Sequence, residues 1–186
     1  YLQQVLDNTA QFANAGIIVH LCRANDKIKS IVENHSAVIK IGYYEGVFQE
    51  DYERNWLLQE ALTMYNRGEA DWCISVDGDE IYEQKFIDCV QKLMRPANPE
   101  IFGYWCNWKT IWHEQQGQEY FRQDSTFGQF KNYRFFKLLK NQVIKSHHPE
   151  GHHCGSAPLL APENLRHTNF RVKHLGYDTP EQRQRK

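Results

Sequence analysis

An apolar run ends abruptly in acid in the stretch "ADWCISVDGDE", where Asp77, Asp79 and Glu80 follow directly on Trp72 to Val76. Carboxylates packed this closely repel one another at neutral pH unless they splay into water or share a cation. Hard oxygen donors at this spacing suit Mg2+ or Mn2+, above all when phosphate oxygens complete the coordination shell. Gly78 lets the backbone turn, so that Asp77 and Asp79 face one space. A calcium EF-hand is excluded, because its fifth and sixth loop positions would be Ile81 and Tyr82 and its twelfth Asp88. The competing reading is an acidic turn capping the next helix, since carboxylates are favourable at helix N-termini. Placement at the end of a buried strand favours the metal.

A second polar cluster, "SHHPEGHHCG", carries four histidines and Cys154. His148 and His152 have the i, i+4 spacing of helical zinc ligands, but Pro149 and Gly151 oppose a helix there. A polar loop rimming a cleft is the preferred reading over a structural zinc site.

These residues need a scaffold. "YLQQVLDNTAQFA" has helical spacing of Leu2, Val5, Leu6 and Phe12. "GIIVHL" and "SAVIKI" read as buried strands, with a short helix over "RANDKIKSIVEN" between them. "EDYERNWLLQEALTMYNR" predicts a helix with Trp56, Leu58, Leu62 and Tyr65 on or near one face, stopped by Gly68. "DWCISV" is nearly continuous in apolar character, as in a sheet covered on both faces. Strand alternating with helix predicts a parallel α/β sheet in the first half. "EQKFIDCVQKLM" is the next helix, ended at Arg95-Pro96. Beyond it, "FGYWCNWKTIW", "KNYRFFKLL" and "FRVKHLGY" predict strands of an antiparallel or mixed second half. Thr179 and Pro180 form a helix start signal, and both ends of the chain read as cut.

The 186 residues suit one domain, and 41% hydrophobic content supports a core. With a net charge of −1, no basic excess argues for general nucleic-acid or membrane-surface binding, and no nucleic-acid partner is expected. No apolar run reaches the roughly 20 residues of a membrane helix. Cys22, Cys73, Cys89, Cys106 and Cys154 are an odd, widely spaced set without a C-x-x-C pair, which reads as reduced thiols in a cytoplasmic protein, free or peripheral at a membrane.

"NWLLQEALTMYNRGEADWCISVDGDEIY" resembles the core of the family 2 glycosyltransferases, in which a helix leads to a strand ending in D-x-D-E. "VKHLGYDTPEQRQRK" resembles the H-x-G-Y segment and basic helix near the end of that domain. "YRFFK" and "SHHPEG" fall where such proteins carry R-x-F-R and H-E segments, so the likeness runs from about Gly16 onward. The resemblance implies a GT-A, Rossmann-like fold: a mixed sheet with helices on both faces, parallel first and more antiparallel later. It implies metal-dependent transfer of a sugar, inverting in outcome, from a nucleoside-diphosphate donor (UDP as the family-level guess) to a glycan, lipid-linked or protein acceptor. By the same likeness Asp79 binds the metal directly, Asp77 contacts the ribose or the metal shell, Glu80 lies beside the sugar and His174 closes the metal site. A mixed His and carboxylate set favours Mn2+, with Mg2+ as the alternative.

An inverting transferase needs a carboxylate to take the acceptor's proton. Glu150 is the first candidate and Asp124, in "FRQDS", the second. Arg134 and the basic tail (Arg183, Arg185, Lys186) are candidates to neutralise a diphosphate, and a solvated helix face is an equal reading of the tail. Trp105, Trp108 and Trp112 read as core or interface residues before sugar platforms.

Two departures stand out. Family members begin with a strand that holds the nucleotide base, and this chain shows no such strand ahead of its first helix. Their second strand often ends in an aspartate, where His20 and Leu21 stand here, with Asp26 further on. The rivals are a nucleotidyltransferase using the same carboxylates, and a truncated, non-catalytic module that binds nucleotide or metal.

Overall fold

A computed structural model describes residues 1–115, 118–122, 131–145 and 155–176. The order of elements is α1 (Leu2–Ala10), β1 (Ile17–Cys22), α2 (Asp26–Glu33), β2 (Val38–Tyr44), α3 (Glu50–Asn66), β3 (Trp72–Ile74), β4 (Glu80–Tyr82), α4 (Gln84–Leu93), β5 (Gly103–Gln115), β6 (Gln118–Phe121), β7 (Lys131–Lys137) and β8 (Leu165–His174).

Local chemistry accounts for the helix boundaries. Asn25 caps α2, its side-chain oxygen accepting from the Ile28 amide at 3.0 Å, and Asp26 occupies the first turn. α3 begins with Glu50, Asp51 and Glu53 in its first turn. It is stopped by Gly68, whose φ of +74° suits a residue without a Cβ.

The fold is mixed α/β. β1 and β2 pair in parallel across α2, as the alternation predicted. β3 does not join them: its recorded partner is β7, antiparallel, in a second sheet of order β3-β7-β5-β8-β4, with β6 paired to β5. The expected parallel first half is therefore divided between two sheets. The second half is mixed, as expected: β5–β7, β4–β8 and β5–β6 are antiparallel and β5–β8 is parallel.

Successive residues of β7 separate the two faces of the larger sheet. Phe135 packs with Phe86 and Val90 of α4 and Phe12 beyond α1, whereas Phe136 packs with Leu58, Ala61 and Leu62 of α3. That is the period-2 alternation of a strand, and it puts helices on both faces. Asn8 ties α1 to β4: its amide donates to the Tyr82 carbonyl at 3.0 Å and its oxygen accepts from the Tyr82 amide at 2.9 Å. Asn55 does the same for the segment after β7, exchanging bonds of 2.7 and 2.8 Å with the backbone of Ile144.

Between β1 and β3 lies a cavity of about 840 Å³, lined by both strands, by α1, α3 and α4, and at one end by Arg54, Asp77 and Gly78. No helix among the described residues is long and apolar enough to cross a membrane. Cys22, Cys73, Cys89 and Cys106 are free thiols.

Candidate functional site

Three strand ends meet at the acidic motif. β3 closes at Ile74, and Asp77 follows in the loop that leads to β4. Glu80 opens β4 and stands opposite His174, the last residue of β8, in the antiparallel ladder. The Leu175 amide donates to the Asp79 carbonyl at 2.8 Å, which fixes the motif against the end of β8. Arg134 projects from the middle of β7, next door to β3.

The structure thus brings together Asp77, Asp79, Glu80, Arg134 and His174, five residues singled out from sequence. Asp77 lies between two guanidinium groups: its Oδ1 accepts from Arg54 Nη2 and its Oδ2 from Arg134 Nη2, both at 2.8 Å. Arg134 Nη2 also stands 3.0 Å from Glu80 Oε1, and the Asp77 amide donates to Glu80 Oε2 at 3.1 Å. The Arg134 side chain is 5% exposed and that of Glu80 0%. Arg134 lies over the Trp108 ring at 4.7 Å, and the same indole meets the His174 ring at 4.9 Å between centroids.

Burial and charge set the protonation of the two inner carboxyls apart. Burial alone would raise the Asp77 carboxyl, but the Arg134 and Arg54 guanidinium groups hold it well below the usual range. Burial raises Glu80 to about 8; Arg134 opposes this, and the negative charge of Asp77 adds to it. The two shifts run in opposite directions: Asp77 is held toward its charged form and Glu80 toward its protonated one.

Asp79 and His174 form the outer pair. Asp79 Oδ2 is 3.3 Å from His174 Nε2, with side chains 30% and 13% exposed. As arranged, both Asp77 oxygens are taken by arginines, while the Asp79 carboxylate, 30% exposed, stands beside the His174 imidazole. Among the described residues, no three His, Cys, Asp or Glu side chains converge to hold an ion by themselves. A two-donor set fits an ion that takes its remaining ligands from phosphate and water, as Mg2+ and Mn2+ do.

Arg54 is the member of this cluster that sequence reasoning missed. It also donates from Nη1 to Ser75 Oγ at 3.0 Å and from Nε to Glu50 Oε1 at 3.1 Å. The only signal in the sequence was the i, i+4 pair with Glu50, common on solvated helices. Trp108, read as core or interface, borders the site. His20, where the resemblance led one to expect an aspartate, lines the cavity, pairs with Glu53 and stacks on Trp56 at 4.4 Å.

Glu150, Asp124, the histidines His147, His148, His152 and His153 with Cys154, the Trp112 side chain, the helix start at Thr179 and the basic tail lie outside the described residues. A comparison with family models and with curated protein sequences finds no match to the chain.

Proposed function

We propose that the cluster around Asp77 is the donor site of a metal-dependent glycosyltransferase with a GT-A-like fold. It moves a sugar from a nucleoside diphosphate, UDP in the first instance, to a glycan, lipid-linked or protein acceptor. The observation that supports this most is the Asp79–His174 donor pair, 3.3 Å apart, set beside two arginines anchored on one aspartate.

Charge explains why such a site needs an ion. Arg54 and Arg134 are already paired with Glu50, Asp77 and Glu80, and Asp79 adds a further carboxylate. A divalent cation on Asp79 and His174 would offset the carboxylates that face an anionic diphosphate. Mn2+ or Mg2+ held by Asp79 and His174 would supply the Lewis-acid neutralisation that a departing diphosphate requires.

The chain's own residues supply orientation. Asp77 fixes the planes of both guanidinium groups, and Trp108 supports one face of Arg134. Arg134 Nε and Nη1 are buried and have no hydrogen-bond partner among the described residues, so the cation's charge is not fully spent on Asp77 and Glu80. We assign the acceptor's proton to Glu150, with Asp124 second, in an inverting displacement. The open slot between β1 and β3 favours a second reading, in which residues 1–186 bind nucleotide and metal without turnover.

Incubation with a UDP-sugar and Mn2+ separates the readings. Release of nucleoside diphosphate supports the transferase, release of pyrophosphate from a nucleoside triphosphate supports a nucleotidyltransferase, and binding without product supports the silent module.

A further inference from the structure

β5 has two unlike sides. Tyr104 and Cys106 belong to the core beneath α4, so Trp105, Asn107 and Lys109 face the other way. Register carries that pattern to the neighbouring strands. Trp105 stands between Tyr133 of β7 and His167 of β8, and Asn107 between Lys131 and Arg171. One rung further on, Lys109 stands opposite Lys173. This is the face that α3 covers at Phe136, and beyond Tyr133 it opens, with Lys131, His167, Asn169 and Arg171 exposed.

The three rungs differ in chemistry. The first is aromatic: the Trp105 and His167 rings lie 19° from parallel with centroids 5.9 Å apart, and Tyr133 meets Trp105 at 5.7 Å. The next two carry cations, and Lys85 of α4 joins Lys109 and Arg171 around a pocket also lined by Glu83, Asn107 and Asn169. The whole chain carries a net charge of −1, so this positive field is local. Two features go beyond an ordinary solvated sheet face. Lys109 and Lys173 are side by side in the ladder, a like-charge pairing that costs stability, and Glu119 accepts from Lys173 at 2.6 Å. β8 also bulges, because Thr168, Asn169 and Phe170 stand opposite Cys106 alone. The Thr168 hydroxyl donates to the Trp105 carbonyl at 2.8 Å and pins the bulge, which presents Asn169 to the pocket.

We infer that this face binds an acidic glycan, a chain of sugar rings bearing carboxylate or sulfate groups. It rests on the proposed transferase only in naming that glycan as the acceptor. The aromatic rung offers the flat apolar surface on which a sugar ring stacks. The Asn107 and Asn169 carboxamides offer donors and acceptors to hydroxyls, and Lys131, Lys109 and Arg171 meet the acid groups. Successive rungs are about 7 Å apart, so the face spans about 14 Å and takes a short run of rings rather than a single sugar. Glu83 and Glu119, set among the cations, disfavour the continuous phosphate backbone of a nucleic acid. The last rung adjoins Thr110 and His174, so the bound chain leads to the strand end that carries the donor site.

The test is calorimetric titration of short oligosaccharides into wild type, Arg171→Glu, Lys131→Glu and His167→Ala at low salt. The ligands are oligogalacturonate, its neutral methyl ester, a sulfated heparin fragment and, as the other class of polyanion, a thymidine oligonucleotide. All three substituted positions are exposed, so the variants are expected to keep the wild-type Tm. At least one acidic oligosaccharide is expected to bind wild type while the neutral ester does not, and the better of the two identifies carboxylate or sulfate as the group read. Either charge reversal is expected to weaken that binding by about fivefold or more, as is raised salt, and His167→Ala to weaken it through the lost stacking surface. The inference is overturned if neither acidic chain binds, if the neutral ester binds as well, or if both charge reversals leave the affinity unchanged. Tighter binding of the oligonucleotide than of either acidic chain overturns it too. Nucleotide sugar and Mn2+ are absent from these titrations, so a failed glycan surface and a failed donor site give separate results.

Discussion

Asp77 and Arg134 meet through a 2.8 Å bond in which a loop carboxylate anchors a cation from the middle of a buried strand. Removing the carboxylate strands two guanidinium groups at once, because Arg54 shares the same acceptor. Asp77→Ala is expected to destabilise the protein by about 2–4 kcal/mol in urea unfolding. The estimate sits at the low end for buried pairs because the Asp77 side chain is 35% exposed and water replaces part of what is lost.

Glu80 makes stability depend on pH in the opposite direction from an ordinary ion-paired acid. Its carboxyl is raised from 4.5 to about 8, so the protonated form belongs to the folded state. That contribution is full below pH 4.5 and is lost as pH rises to about 8. Glu80→Gln is expected to flatten the decline, by an amount on the order of a few kcal/mol across that window. Asp77 acts with the other sign: its carboxyl is lowered, so its contribution holds above 3.8 and fades as pH falls below it. Denaturant midpoints measured across pH for wild type and Glu80→Gln check both arms.

Arg54 is expected to matter for its fork as well as its charge. Its three nitrogens reach Glu50, Ser75 and Asp77 separately, a geometry that a lysine ammonium does not reproduce. Arg54→Lys should weaken nucleoside diphosphate binding by about tenfold in the presence of Mn2+. Unchanged affinity would remove Arg54 from the site.

Asn8 offers a control in which stability and site separate. Its two bonds to Tyr82 hold α1 on β4 without touching the carboxylates. Asn8→Ala should cost about 1–3 kcal/mol, since the Tyr82 backbone loses both partners. Nucleotide affinity per folded molecule should not move, as calorimetry at low temperature would show.

Much of this architecture was legible in local pattern. α3 and its stop at Gly68 follow from apolar spacing and a glycine at positive φ, and the β1-α2-β2 unit follows from strand and helix alternation. What the pattern did not carry was pairing. β3 reads as the next parallel strand because its run is apolar, yet its partner is β7, a choice fixed by residues more than 60 positions away. β4 is three residues long, too short for any periodicity to show. At the site, Asp77, Asp79 and Glu80 announced themselves by charge density after an apolar run. Arg54 did not, because a lone arginine on an acidic helix turn looks like surface until the packing of α3 aims it at Asp77.

The most direct test of the proposed donor site is calorimetric titration of UDP and GDP into the protein, with and without Mn2+, on wild type and Asp79→Ala. We expect binding that requires Mn2+ and is lost in Asp79→Ala, because the proposed donor site puts the ion on the carboxylate beside His174. Absence of nucleotide binding under every condition, or equal binding by wild type and Asp79→Ala, would contradict it and leave the cluster as a structural ion-pair network.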